Sequence, residues 1–271
     1  ASAIAHALAQ EKNISTEILE EAISCQAMAE PKKELLQPAL QHHLSYIPHV
    51  ISSYSSLVKD TQVPIVGKDG LDLDQHSLHS MPAGAKTGII LHDLLETILM
   101  QGLHVNPEKI SETVYKKLAT TDLMPWSNCI AKGVIDLMVV DLGGFCLQDV
   151  DQMSTEMEFL FPVEASLAIR GFCDLIFQYR GKVYILDWKT NFLGIDHMAY
   201  ERENLAHAMQ AHDYFLQARI YSAAVVKWWR LYDSRAPQDF FGGAYYVFLR
   251  GLENKNTHGI YHFQPLGNTY E

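Results

Sequence analysis

Three strand-like segments follow one another between residues 155 and 189, and they constrain the fold more than any other feature of the sequence. β-Branched, aromatic and alternating residues, the pattern of half-buried strands, fill EMEFLFPV, SLAIRGFCDLIFQY and KVYILDWK. Arg180-Gly181 separates the second segment from the third and predicts a tight hairpin turn. Two later segments predict closing strands, AYYVFLRG at 244–251 and GIYHF at 259–263.

Helical periodicity dominates on both sides of these strands. Residues 1–60 predict a helical linker or extension, and residues 61–271 predict the main domain. Within that domain we expect helices over 85–142, and a core sheet with further helices over 155–265. This order of elements predicts an α/β fold in which helices flank a mixed central sheet.

The composition is that of a globular chain, with 48% hydrophobic and 20% charged residues among 271. No apolar run approaches the ~18 residues that a bilayer-spanning helix needs. The four cysteines form no CxxC pair, which predicts free thiols rather than a zinc or iron–sulfur site. Since the first residues also lack a secretory signal pattern, we expect a cytoplasmic protein.

The net charge of −11 argues against a domain that finds nucleic acid by itself, because Lys and Arg contacts to phosphates drive such binding. Two interpretations remain compatible with this charge. The chain acts on DNA that a basic partner delivers, or part of its acidity belongs to a metal site.

Asp187 and Lys189 end an apolar strand and lie two positions apart, so alternation places both on one face. Val183 and Ile185 share that face, and the opposite face carries Tyr184, Leu186 and Trp188. If the hairpin closes, Asp174 of the preceding GFCD segment reaches the same patch. The sequence therefore brings two carboxylates and one lysine together.

Such a patch suits phosphodiester hydrolysis. Two carboxylates provide the oxygen ligands that Mg²⁺ prefers, and Ca²⁺ or Mn²⁺ are possible substitutes. The ion polarises a phosphoryl oxygen and lowers the pKa of a bound water, while a lysine stabilises developing charge. The alternative is a surface ion pair at a strand end. A second GxxD, ending at Asp136, lies in a segment with a helical pattern and is interpreted as structural.

Longer motifs resemble a known family. They are RGFCDLIF, YILDWKTNFLG, AMQAHDYFLQARIY and FGGAYYVFLRG, with MPAGAKTGIILHDLLE and SSYSSL upstream. Over residues 51–265 the chain resembles the RecB-type nuclease domains, which belong to the beta subunit of exodeoxyribonuclease V, within the PD-(D/E)xK nuclease superfamily.

The resemblance implies roles for individual residues. Lys189 matches the catalytic lysine, and Gln217 and Tyr221 match a motif that supports DNA or the catalytic groups. Glu158 shares the strand face of Glu156 and is an alternative to it, and Glu96 lies one helical turn beyond the candidate histidine. The implied metal ligands are Asp174, Asp187, the backbone carbonyl of Trp188, His92 and Glu156.

The resemblance also implies a function. It suggests an Mg²⁺-dependent deoxyribonuclease module of a RecBCD-type helicase–nuclease that processes double-strand breaks and leaves 5′-phosphate ends. The chain has no GxxxxGK[ST] motif for ATP, so the implied partners are DNA, a RecB helicase portion, and RecC-like and RecD-like subunits. One alternative is a silent nuclease-like scaffold module in a similar complex. Another is an unrelated metal-dependent hydrolase on a similar sheet.

Overall fold

Most of the described helices and strands lie where helical periodicity and strand alternation predict them. The computed structural model describes residues 50–53, 76–164, 167–252 and 257–265, and these belong to a unit that spans Ile47–Glu271. The predicted helices of residues 1–49, and most of the SSYSSL motif, lie outside the described residues.

Within residues 76–151, three α-helices precede the main strands: α1 (Ala85–Met100), α2 (Pro107–Leu118) and α3 (Ser127–Val139). The side chain of Asn106 caps α2 by accepting a hydrogen bond from the Lys109 N–H at 3.1 Å. The GxxD of α3 is helical as predicted, and its Asp136 is buried and pairs with Lys132 at 3.0 Å.

The described strands form one mixed sheet, which confirms the predicted fold class. They are β1 (Val50–Ser53), β2 (Gln152–Glu164), β3 (Leu167–Tyr179), β4 (Lys182–Lys189), β5 (Phe241–Phe248) and β6 (Ile260–Phe263). Antiparallel pairs join β2 to β3, β3 to β4 and β5 to β6, whereas β1–β3 and β4–β5 are parallel. The predicted turn lies at Arg180 and Gly181, both with positive φ.

The two faces of β4 pack against different helices, as its alternation predicts. Tyr184, Leu186 and Trp188 join a core that includes the buried residues of α1, α2 and α3. Val183 and Ile185 join a second core with residues of α4 (Arg202–Ala211) and α5 (Tyr214–Trp229). A short helix, α6 (Pro237–Phe240), leads into β5. Among the described residues, no helix combines the length and apolarity needed to cross a membrane.

Several strands differ from the sequence expectation, and β2 already begins at Gln152. Val50–Ser53 falls in the segment expected to be helical, but it pairs as a parallel strand with Leu167–Arg170. β5 starts three residues earlier than expected, because Gly242 allows Tyr184 to pack against the strand. A Cβ at Gly242 would lie 1.9 Å from Cε1 of Tyr184, so the glycine that weakens the strand pattern is required by the packing.

Arg250, just after β5, is fully buried and joins distant parts of the domain. Its Nε donates to the carbonyl of Thr190 at 2.8 Å, directly after β4. Its two terminal nitrogens donate to carbonyls that precede α1, those of Leu78 (3.3 Å), His79 (3.2 Å), Met81 (2.7 Å) and Pro82 (2.8 Å). We call this set of contacts the Arg250 clamp. It fixes the start of α1 against the end of β4.

Candidate active site

The candidate site forms where β3 and β4 separate. Their ladder ends at the Leu175–Leu186 pair, so Asp174 and Asp187 lie at the first position beyond it. Oδ2 of Asp174 accepts a hydrogen bond from the backbone N–H of Trp188 at 2.8 Å. A side chain thus satisfies a backbone donor that would otherwise be lost where the strands part. The two carboxylates therefore lie where the ladder ends, with Asp174 in the middle of β3 and Asp187 near the end of β4.

Glu156 lies across from Asp174 on β2, at an irregular point of that strand. The residues before and after it pair with Leu175 and Cys173, but Glu156 itself has a φ of 49°. Non-glycine residues in this left-handed region carry strain of about 1–3 kcal/mol, and such strain collects at functional sites. The irregularity brings the Glu156 carboxylate beside Asp174.

Helix α1 supplies the third group of this cluster. Nδ1 of His92 lies 3.5 Å from Oδ1 of Asp174. One ligand atom each from His92, Glu156 and Asp174 lies within 4.8 Å of the others. Metal–ligand bonds of about 2.1 Å require ligand atoms nearly this close, so the residues fit a small divalent cation after a slight contraction.

The charges of this cluster also suit a cation. Glu156 is exposed, but partial desolvation of its carboxyl raises the pKa of Glu156, and the nearby negative charges of Asp174 and Glu96 raise it further. Burial opposes the charged form of His92, but its hydrogen bond with Asp174 and the charges of Asp174 and Asp187 raise its pKa overall. These carboxylates repel one another, and a bound cation would remove that repulsion.

Asp187 is the most buried acid of the site, with its side chain 4% exposed. Oδ1 forms an ion pair with the Lys189 ammonium, and Oδ2 accepts a hydrogen bond from Nε2 of Gln217 at 3.1 Å. Burial raises the pKa of Asp187 to about 6, against the opposing positive charge of Lys189 and with a further increase from Asp174. Asp187 is not in the His92 cluster of close ligand atoms.

Lys189 is held on several sides at once. Its ammonium donates to Oε1 of Gln217 at 3.0 Å and lies 4.1 Å from the ring centre of Tyr214. Burial opposes its charge, but Asp187, Tyr214 and Asp174 together outweigh burial and raise the pKa of Lys189 overall. The surroundings of this largely buried lysine therefore favour its charged form.

The structure places some of the remaining predicted site residues beside the Asp187–Lys189 pair or Asp174, and others away from them. The Gln217 amide contacts both Asp187 and Lys189, and Tyr221 is buried one turn further along α5. Trp188 donates its N–H to Asp174, while its side chain packs in the core beside α1. Glu158, the alternative to Glu156, is half-exposed and pairs with Arg170 away from this cluster.

The sequence reasoning missed Tyr214, the residue whose ring covers Lys189. Its signal was its place in AHDYFLQ, one helical turn before Gln217 and on the same side of α5. A tyrosine at this spacing is ordinary in a packed helix, so the pattern alone did not distinguish it.

Comparisons with known proteins identify the family of this chain. The chain is 29% identical over 223 residues to the RecBCD enzyme subunit RecB of Escherichia coli K12, a match that covers 69% of this chain and 18% of the relative. The RecB subunit of Chlamydia pneumoniae is 30% identical over 187 residues, covering 67% and 17% respectively. The RecB of Buchnera aphidicola subsp. Schizaphis graminum is 23% identical over 305 residues, covering 94% and 25%.

These curated relatives are much longer than this chain, which spans about a fifth of their length. The similarity is therefore to one region of each RecB subunit. Independently, residues 69–269 match the PD-(D/E)XK nuclease superfamily, and this range includes all of the predicted site residues. The chain belongs to the PD-(D/E)XK nuclease superfamily.

Proposed function

We propose that this chain is the nuclease module of a RecBCD-type enzyme and that it hydrolyses phosphodiester bonds of DNA with Mg²⁺. The observation that carries the proposal is the meeting of the His92–Glu156–Asp174 cluster with the buried Asp187–Lys189 pair where β3 and β4 part. A metal-dependent nuclease needs a divalent-cation site and a nearby positive group, and these residues would supply both.

The residues divide the chemistry between them. His92, Glu156 and Asp174 would hold the metal, with Asp187 and the Trp188 carbonyl beside it. When bound, Mg²⁺ would polarise the phosphoryl oxygen and lower the pKa of a water. Lys189 supplies a fixed positive charge for the charge that develops during hydrolysis. Gln217 holds Asp187 and Lys189 in place, because its amide forms a hydrogen bond with each of them.

We further propose that DNA reaches this site through partners, in the cytoplasm. The net charge of −11 disfavours independent binding to a polyanion. A RecB helicase portion with RecC-like and RecD-like subunits would deliver single strands, and processing of double-strand breaks would follow from that assembly. The relatives' name, RecBCD enzyme subunit RecB, supports this placement.

Incubation of the chain with single-stranded and double-stranded DNA tests the nuclease proposal. We expect degradation with Mg²⁺, none with a chelator, and 5′-phosphate ends on the products. Asp174→Asn should lose activity and bind the metal more weakly, because Asp174 lies in the cation cluster and also supports Trp188. Calorimetric titration with Ca²⁺ would measure the metal affinity separately from cleavage.

Asp136→Asn is the matched control, since Asp136 also ends a GxxD but lies on α3. It should cleave DNA as the parent does. Degradation that persists in chelator, or that Asp174→Asn leaves intact, would contradict the proposal. Absence of cleavage by a folded, metal-binding chain, even with its partner subunits, would favour the silent scaffold module instead.

DNA affinity gives an independent prediction. We expect weak binding of fluorescent single-stranded DNA by this chain in chelator, falling further between about 0.05 and 0.2 M salt, because counterion release governs such binding. Fluorescence anisotropy measures the affinity at each salt concentration. Tight binding at about 0.2 M salt would contradict the proposed dependence on partners.

A further inference from the structure

The ammonium of Lys189 lies over an aromatic surface that the proposed chemistry does not yet use. Its Nζ is 4.1 Å from the ring centre of Tyr214 and 5.4 Å from that of Tyr246. A cation within about 6 Å of a ring centre is attracted by the ring's quadrupole, most strongly where water is excluded. The Lys189 side chain is 12% exposed, which satisfies that condition.

The ring of Tyr214 is itself fixed in place from several directions. Its hydroxyl donates to Oδ1 of Asn191 at 3.0 Å, and Nδ2 of Asn191 lies 3.3 Å from Nε2 of His212. The ring also stacks on His212 at 5.4 Å and on Tyr246 at 5.9 Å between centres. The face toward Lys189 therefore has little freedom to rotate.

The chain conformation explains how these groups meet. Asp213 adopts a left-handed φ of 54° between α4 and α5, so the chain turns sharply there and Tyr214 begins α5. Asn191 lies two residues beyond Lys189, so Tyr214 contacts both ends of the Lys189–Asn191 segment. One side chain thus holds the lysine and the start of the loop that follows it.

We propose that Tyr214 is a positioning residue that holds the Lys189 ammonium for hydrolysis through its ring face, with Asn191 and His212 fixing the ring. Asp187 and Gln217 hold the same ammonium through oxygen atoms. The ammonium forms an ion pair with Asp187 and donates a hydrogen bond to Gln217. The ring contact is different because it restrains the cation without accepting a proton. This proposal rests on the proposed nuclease function, but its structural part is independent of activity.

Fluorinated phenylalanines at position 214 separate the ring's charge distribution from its shape. The ring quadrupole weakens stepwise, while the ring remains in place, along the series phenylalanine, 4-fluoro-, 3,4,5-trifluoro- and pentafluorophenylalanine. Phenylalanine should lower kcat about 3-fold, because the hydrogen bond to Asn191 is lost. From phenylalanine to pentafluorophenylalanine, kcat should fall by a further factor of about 10 to 30. KM for DNA and the Ca²⁺ affinity should stay near the parent values.

The same series at Phe215 is the control, because that ring packs against Tyr261 and Phe263 instead of Lys189. It should give a flat kcat profile. A flat profile at position 214, or equal slopes at the two positions, would overturn the proposal. A change confined to KM for DNA would also overturn it, since the ring would then act on DNA binding.

Nuclear magnetic resonance of the metal-free chain, with ¹³C-labelled lysine ε-carbons, tests the contact without any cleavage. The ε-protons of Lys189, assigned by their loss in Lys189→Met, should be shifted upfield by the Tyr214 ring. Tyr214→Phe should keep most of the shift and Tyr214→Leu should lose most of it. An unshifted parent signal overturns the positioning role, whereas a shifted signal in a chain without nuclease activity upholds the ring contact and contradicts the proposed function alone.

Discussion

Lys189→Met is expected to bind divalent metal about as well as the parent and to lose about 10³-fold in kcat, because a preorganised charge is removed from the reaction site. The lysine contributes no oxygen ligand, and its ammonium contacts Asp187 and Gln217 instead of the His92 cluster. Methionine fills a similar volume, so the packing around Tyr214 should survive. Single-turnover cleavage and Ca²⁺ calorimetry measure the two properties separately.

Asp187→Ala should also lose cleavage but, unlike Lys189→Met, should bind the metal more weakly. Lys182→Ala is the matched control, because Lys182 is exposed at the other end of the same strand and should leave kcat unchanged. Cleavage by Lys189→Met within about 10-fold of the parent would remove Lys189 from the mechanism. Loss of metal affinity in Lys189→Met but not in Asp187→Ala would reverse the assignment of the two residues.

Arg250→Met should lower the free energy of unfolding by about 4 kcal/mol or more, since each buried polar group left without a partner costs about 1–3 kcal/mol. The guanidinium donates to at least five backbone carbonyls, and its side chain has no exposed surface. Arg250→Lys should recover only part of the loss, because an ammonium lacks the planar fork that reaches several carbonyls. Urea denaturation followed by circular dichroism measures the change.

Arg219→Met provides the comparison, because Arg219 is exposed on α5 and its loss should change stability by less than about 0.5 kcal/mol. A cost below about 1 kcal/mol for Arg250→Met would mean that water replaces the guanidinium at these carbonyls. Such a result would reduce the Arg250 clamp to a minor contact.

The local patterns of the sequence were sufficient for most of the fold. Alternation along Lys182–Lys189 gave the correct two faces, and Arg180-Gly181 gave the hairpin, because both depend on neighbouring residues. The same alternation put Asp187 beside Lys189, as the ion pair shows. Such features are set within one strand or one turn.

Features that depend on distant contacts were not predictable in this way. Strand periodicity treats Glu156 and Glu158 alike, but Glu156 has a left-handed backbone and lies beside Asp174, whereas Glu158 pairs with Arg170. Likewise, no local signal shows that Tyr214 covers Lys189, since α5 and β4 meet only in the packed domain. The short β1 pairs in parallel with residues more than a hundred positions away, so its own four residues could not identify it.

The Arg250 clamp also has a consequence for folding during translation, because its donor and its acceptors are synthesised at different times. The carbonyls of Met81 and Pro82 are synthesised 169 and 168 residues before the guanidinium that they accept. At about 5–20 residues per second, the segment before α1 waits roughly ten to thirty seconds for that partner. During translation α1, α2 and α3 therefore emerge well before Arg250. The segment before α1 lacks its hydrogen-bond donor until β5 and Arg250 leave the exit tunnel.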